Sequence, residues 1–283
     1  LAFDSSDNPA ISYYNATKGD LKYAHWDGTS WQIQTVDSTG WVGSYTSLTL
    51  DSSGNPAISY YDATNDDLKY AHWDGTEWEK ETVCSIGDVG RYTSLAFDNW
   101  GDPAISYYDL RHGDLKYAHR MDMSWVIETV DSGGDVGRYT SLAFDSLGNP
   151  AISYYDVTNG DLKYAQWNGT NWDIETVDSL GDVGAYSSLA FDNWGNPAIS
   201  YYDATNDDLK YAHWNGTSWV IETVDDSLDD VGQYTSLAFD SLGNPAISYY
   251  DDTKDDLKYA QRKGTSWVIE TVDSSGDVGS YTS

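Results

Sequence analysis

The chain has 283 residues, of which 40% are apolar and 15% aromatic, and a formal net charge of −31. That charge argues against nucleic acid and anionic membrane surfaces as partners. No apolar run approaches the roughly 18 residues a membrane-spanning helix needs, so membrane insertion is not expected. Only seven of the 46 acids are Glu, and the Asp excess beside 24 Tyr and 13 Trp suits turns and pleated sheets. Cys84 is the single cysteine and leaves no disulfide within one chain. Opening at Leu1, without Met or a signal-like stretch, is expected of a processed or partial product.

In chain order, the first predicted element is a partial strand, Leu1-Ala2-Phe3-Asp4, the back of a segment that recurs in full as Tyr139–Asp145. Call it strand A. A Gly/Asn/Asp turn follows, then a Pro (Pro9, Pro56, Pro103, Pro150, Pro197, Pro245) at the first position of strand B, where a missing N–H is tolerated. Strand B is predicted over segments such as Ala151–Asp156, strand C over Leu162–Trp167 and strand D over Trp172–Val177. Asn168-Gly169 and Asn215-Gly216, like Asp27-Gly28 and Asp74-Gly75, read as two-residue hairpins between C and D.

This text repeats six times, over 1–47, 48–94, 95–141, 142–188, 189–236 and 237–283. Four short strands repeated at this period predict an all-β chain, a six-bladed β-propeller of antiparallel blades forming one domain over 1–283. The chain stops at Tyr281-Thr282-Ser283, the missing front of strand A. A ring closed by joining the two ends in one strand is therefore expected, which would remove open sheet edges.

In such a fold the A–B and C–D turns share one side and the B–C and D–A loops the other. The second side carries the acids, and calcium is the cofactor those loops would take, through Asp62, Asp67, Asp88, Asp156, Asp161 and Asp182. Solvated local hydrogen bonding is the plainer use of such aspartates. The first side carries aromatic tips at Trp26, Trp73, Trp100, Trp167, Trp194 and Trp214, candidates for stacking on sugar rings. Arg120 and Arg262 replace the strand C Trp in two repeats. The Trp common to all six repeats, such as Trp78 and Trp219, is expected to pack between blades. His25 and its equivalents, two of them Gln166 and Gln261, read as hydrogen-bonding positions, and the strand C lysines as partners of neighbouring acids.

No catalytic set is visible, because six copies of one environment do not bring dissimilar groups together. Identical weak sites favour avidity instead. The reading is a non-enzymatic binding propeller for a glycan or a protein, secreted or at the cell surface, with self-association open to it. The alternatives are a structural spacer or subunit of an extracellular assembly, and a hydrolase-type propeller.

The run from SLAFD through GNPAISYYDATNDDLKYAHW resembles the repeats of secreted bacterial β-propellers with near-identical blades, and distantly the NHL repeat with its D-x-x-G-N turn. The DGTSW of Trp26–Trp31 is similar to the Asp-box of sialidase-type propellers but has a different Asp-to-Trp spacing. The layout is also similar to tachylectin-type propeller lectins. That resemblance implies sugar binding between blades, with no residue-by-residue match.

Overall fold

A computed structural model describes residues 1–281. It is an all-β protein of six four-stranded antiparallel sheets, arranged as a β-propeller. The blades span 2–37, 42–84, 89–131, 136–178, 183–225 and 231–273, each in the order A-B-C-D. The chain divides into two compact units, Leu1–Arg138 and Tyr139–Ser283. Of the residues expected to join the chain ends in one strand, Thr282 and Ser283 lie outside the described residues. The partial strand at the start, Ala2–Phe3, pairs with Pro9 and Ala10.

Strand B is the buried centre of blades 2 to 6, and in Pro56–Asp62 all seven residues are buried, whereas in blade 1 only Ala10 of Pro9–Asn15 is. Its Pro opens the strand in every blade, as expected. Strand A begins earlier than predicted, at Val183 in blade 5, because the segment after each D–A loop already pairs with the end of strand B. Gly184 permits this entry. Its φ is +110° and an added Cβ would lie 2.7 Å from Leu162 Cα, on strand C of the preceding blade. The register then shifts before Ser188, and Tyr186 takes φ 56°, unusual for a bulky side chain. The Tyr186 ring packs tilted between Tyr139 and Tyr234, with centroids 4.5 Å apart in each pair, contacts that hold the strained backbone in place.

Blades 1 and 2, 4 and 5, and 5 and 6 are joined by the same buried polar contact. Tyr60 Oη donates to Asp37 at 2.8 Å, and Tyr201 and Tyr249 donate to Asp178 and Asp225 at 2.7 Å. Lys210 bridges Asp178 at 2.8 Å and Asp203 at 3.3 Å, which bears out the expected pairing of the strand C lysines. Burial alone would raise the Asp178 carboxyl, but the Lys210 and Tyr201 donors outweigh it and hold the group below the usual range. Cys84 occupies the Asp37 position in blade 2, and the buried Tyr107 hydroxyl has no carboxylate there.

The expectation of two-residue C–D hairpins is corrected. Asp27-Gly28-Thr29-Ser30 is a four-residue loop between strands ending at Trp26 and starting at Trp31. The Asp27 carboxylate organises it, accepting from Thr29 N and Ser30 N at 2.9 Å, and Asn168 does the same in blade 4. Two-residue connections occur instead in blades 3 and 6, at Asp122-Met123 and Gly264-Thr265.

Candidate functional site: clefts between blades

Strand C ends, the strand D beside it and an A–B turn converge between adjacent blades. In the first unit they enclose a cavity of about 330 Å³. Trp26, Trp73 and Trp78 supply its aromatic walls, and Gln34, Asn8 and Asn55 its amides. Trp78 is fixed from both sides: its ring meets Tyr23 of blade 1 edge-on at 5.4 Å and its Nε1 donates to Gln34 Oε1 at 2.9 Å. The expectation that this Trp packs between blades holds here, and likewise for Trp125 on Tyr70, Trp219 on Tyr164 and Trp267 on Tyr211.

The second unit has a cavity of about 290 Å³ on the equivalent residues of blade 4, lined within that blade alone by Asn149, Tyr164, Gln166, Trp167, Asn168, Asp173 and Glu175. Glu175 stands where blade 1 has Gln34 and accepts from Trp219 Nε1 at 3.0 Å. Gln166 donates to Asp145 at 3.3 Å and His72 meets Asp51 at 3.1 Å, the hydrogen-bonding role expected for that position.

The polar atoms at the base of these clefts are incompletely satisfied. Tyr164 Oη and His25 Nδ1 are buried without a hydrogen-bond partner among the described residues, Tyr164 being only 4% exposed. Buried polar atoms of this kind call for a partner from outside. Burial, and then the Asp145 and Glu175 charges, push the Tyr164 phenol up, and burial beside Asp4 pushes Tyr23 up to about 12. Both therefore remain neutral donors at physiological pH.

Two other blade pairs show the same place filled. Arg120, at the Trp73 position, reaches Glu81 of the preceding blade at 2.7 Å and lies 5.7 Å from the Trp125 ring centroid. Arg262 does the same with Glu222 at 3.0 Å and Trp267 at 6.0 Å. The Trp-to-Arg exchange puts an internal ion pair where the open clefts have an aromatic wall.

Of the six tryptophans singled out in the sequence, Trp26 and Trp73 meet in one cleft and Trp167 lines the other. Trp214 packs edge-on against Trp219 at 5.8 Å. Trp100 and Trp194 project from A–B turns, 78% and 77% exposed, and line neither cleft. Sequence reasoning did not pick out Gln34, Asn8, Tyr164 or Glu175 as site residues. The repeat alignment, in which Gln34 falls opposite Glu81, Glu175 and Glu222, is the signal that could have found them.

The acidic loops have local partners. Asp62 and Asp156 each bind their own turn, accepting from Asn65 and Asn159 at 2.9 Å. Asp88 pairs with Arg91 at 3.0 Å and Asp182 accepts from Tyr155 at 2.5 Å. Asp67 and Asp161 lie opposite Asp62 and Asp156 on strand C, and burial followed by that neighbouring charge raises both carboxyls. Among the described residues no group of three or more His, Cys, Asp or Glu side chains is gathered to hold a metal ion.

No family model matches the chain, and no curated protein matches it. Solved structures match the fold. A lectin of Aleuria aurantia in complex with Fucα1-6GlcNAc has a TM-score of 0.60 at 14% identity, over 96% of this chain and 95% of that one. An ulvan lyase of polysaccharide lyase family PL25 has a TM-score of 0.67 at 16% identity, over 96% and 82%. A Hadza microbial sialidase has a TM-score of 0.56 at 12% identity, over 90% and 66%. At these identities the likeness is one of fold, a six-bladed β-propeller that is similar both to lectins and to enzymes acting on saccharides.

Proposed function

We propose that the protein binds neutral glycans, without turnover, in the clefts between its blades. The observation that carries this reading is Tyr164 Oη, a buried donor with no partner among the described residues, in the lining of a cleft walled by Trp167 and edged by Gln166 and Asn168. An aromatic face covers the C–H surface of a sugar ring, and amides, phenol and carboxylate read its hydroxyls. The recurrence of the cleft in each unit supports multivalent recognition. A net charge of −31 disfavours acidic polysaccharides. The absence of turnover is supported by the carboxylate pair of the second cleft: Asp173 and Glu175 are replaced by Gln32 and Gln34 in the first, so the two clefts share no acid–base pair. The Aleuria aurantia lectin, a propeller of similar layout, adds a precedent of fold for sugar binding.

The test is titration with a panel of neutral oligosaccharides, read by Trp fluorescence and calorimetry and followed by analysis of the sugar recovered. Saturable binding that is lost in Trp73→Ala and Trp167→Ala and leaves the sugar intact is the expected result. Silence across the panel overturns glycan recognition, and new reducing ends overturn the non-enzymatic reading.

A further inference from the structure

At two blade boundaries a strand D glutamate meets a cation. Glu222 of blade 5 accepts from Trp267 Nε1 through Oε2 at 3.2 Å, and its Oε1 faces Arg262 of blade 6 at 3.0 Å and His213 Nδ1 at 3.8 Å. In the first unit Glu81 takes both terminal guanidinium nitrogens of Arg120, at 2.7 and 3.4 Å. A carboxylate in this place is matched by positive charge from the following blade.

Glu175, the same position in blade 4, keeps half of that arrangement. Its Oε2 accepts from Trp219 Nε1 at 3.0 Å, as Glu222 does from Trp267. Trp214 stands where blade 6 has Arg262, however, and Gln166 where blade 5 has His213, so Oε1 has no ion-pair or hydrogen-bond partner among the described residues. Asp173 adds a second carboxylate where blade 5 has Val220. The ladder sets Tyr164 opposite Glu175 and Gln166 opposite Asp173, which puts all four side chains on one face of the sheet. All four line the cavity of about 290 Å³, and among the described residues no Lys or Arg does. Tyr164, 4% exposed, brings an independent sign of a missing ligand, because its buried Oη has no partner among the described residues.

We propose that the blade 4 cleft takes an amino sugar, a pyranose with a protonated primary amine, whose ammonium binds Glu175 and Asp173 while its ring lies on Trp167. The inference rests on the reading of these clefts as glycan sites and sets the second apart from the first, where Gln34 and Gln32 replace the two acids. The ligand thereby supplies the charge that Arg120 and Arg262 supply from within the chain, and the Tyr164 hydroxyl is left to bond the amine or a ring hydroxyl.

The experiment titrates the protein by calorimetry with the methyl glycosides of glucosamine, N-acetylglucosamine and glucose, and with ethanolamine as a cation without a sugar ring. At about pH 6, where a primary amine is protonated, wild type is expected to bind the glucosaminide roughly tenfold tighter than either neutral glycoside. Glu175→Gln, an exposed change that copies blade 1, should abolish that preference. Trp214→Arg, which copies blade 6, should abolish it too by filling the place from within. Equal affinity for charged and neutral glycosides in wild type would overturn the amino-sugar assignment and leave glycan binding standing. Ethanolamine binding as tightly as the glucosaminide would overturn it in favour of general attraction to an acidic chain, and a preference that survives both variants would move it away from this cleft. No binding by any of the glycosides would overturn the glycan reading and this inference together.

Discussion

Tyr201 donates its phenol proton to Asp178 across a blade boundary at 2.7 Å, in a position where neither group reaches solvent. The same Asp178 oxygen receives Lys210, so removing the carboxylate leaves an ammonium buried between blades with Asp203 as its remaining ion-pair partner. Asp178→Ala is expected to cost about 3 kcal/mol in chemical denaturation, the scale for breaking one side of a buried pair. Tyr201→Phe, which deletes one hydrogen bond and keeps the ring, should cost about 1 kcal/mol. Equal losses for the two would mean that Lys210 does not depend on Asp178.

Cys84 tests the same contact in reverse. Installing the Asp found in the other repeats gives Tyr107 a carboxylate to bond and adds a third acid beside Lys116, which already pairs with Asp114 and Asp109. Cys84→Asp should therefore raise stability by about 1 kcal/mol, the typical net worth of a hydrogen bond gained by an unsatisfied buried donor. A lower melting temperature would show that desolvating the new carboxylate outweighs that bond.

Acid stability follows from two opposed sets of carboxyls. Burial, then neighbouring aspartates, raises Asp67, Asp161, Asp208 and Asp252, so these destabilise the fold when ionised and are relieved as pH falls through their raised values. Burial also opposes ionisation of Asp37, Asp178 and Asp225, but their Tyr and Lys partners prevail and lower them. Their contribution is present above the unfolded value of about 4 and is lost below it. The melting temperature is expected to rise from neutral pH towards about pH 5 and to fall steeply below about pH 4. A steady decline from pH 8 to 5 would remove the role of the raised set.

The Trp-to-Arg exchange should move the glycan site with it. Trp73→Arg brings a guanidinium towards Gln34, Asn8 and Asn55 and is expected to weaken binding in that cleft at least tenfold, about 1.4 kcal/mol. Arg120→Trp should free Glu81 and add a binding equivalent in calorimetry. Trp100→Ala, on a turn that lines neither cleft, should leave both affinity and stoichiometry unchanged. Loss of binding in Trp100→Ala would relocate the site to the turn tips.

The strands were legible because each repeat states its alternation six times over, and a Pro marks every strand B. The lysine–aspartate pairs were legible for the same reason. The clefts were not, since Gln34 and Trp78 are 44 residues apart and meet only once blades stack. Loop lengths misled because Asp27 and Asn168 have the identity of tight-turn residues but spend their side chains capping a longer loop. Likewise the aspartates of the acidic side look alike in sequence, and only their partners separate Asp88, paired with Arg91, from Asp182, held by Tyr155.

The Tyr–Asp–Lys contact that joins neighbouring blades is written in the same residues at successive boundaries, so a blade has no private key for its rightful neighbour. During folding, a strand that docks one repeat out of place meets nearly the same hydroxyl, carboxylate and ammonium it would have met at home, and the error carries little energetic signal. The few departures from the repeat, among them Cys84 and the arginines at 120 and 262, then act as addresses. Erasing them to make six perfect copies should slow productive folding and promote exchange of blades between chains, even where each substitution alone strengthens the native state.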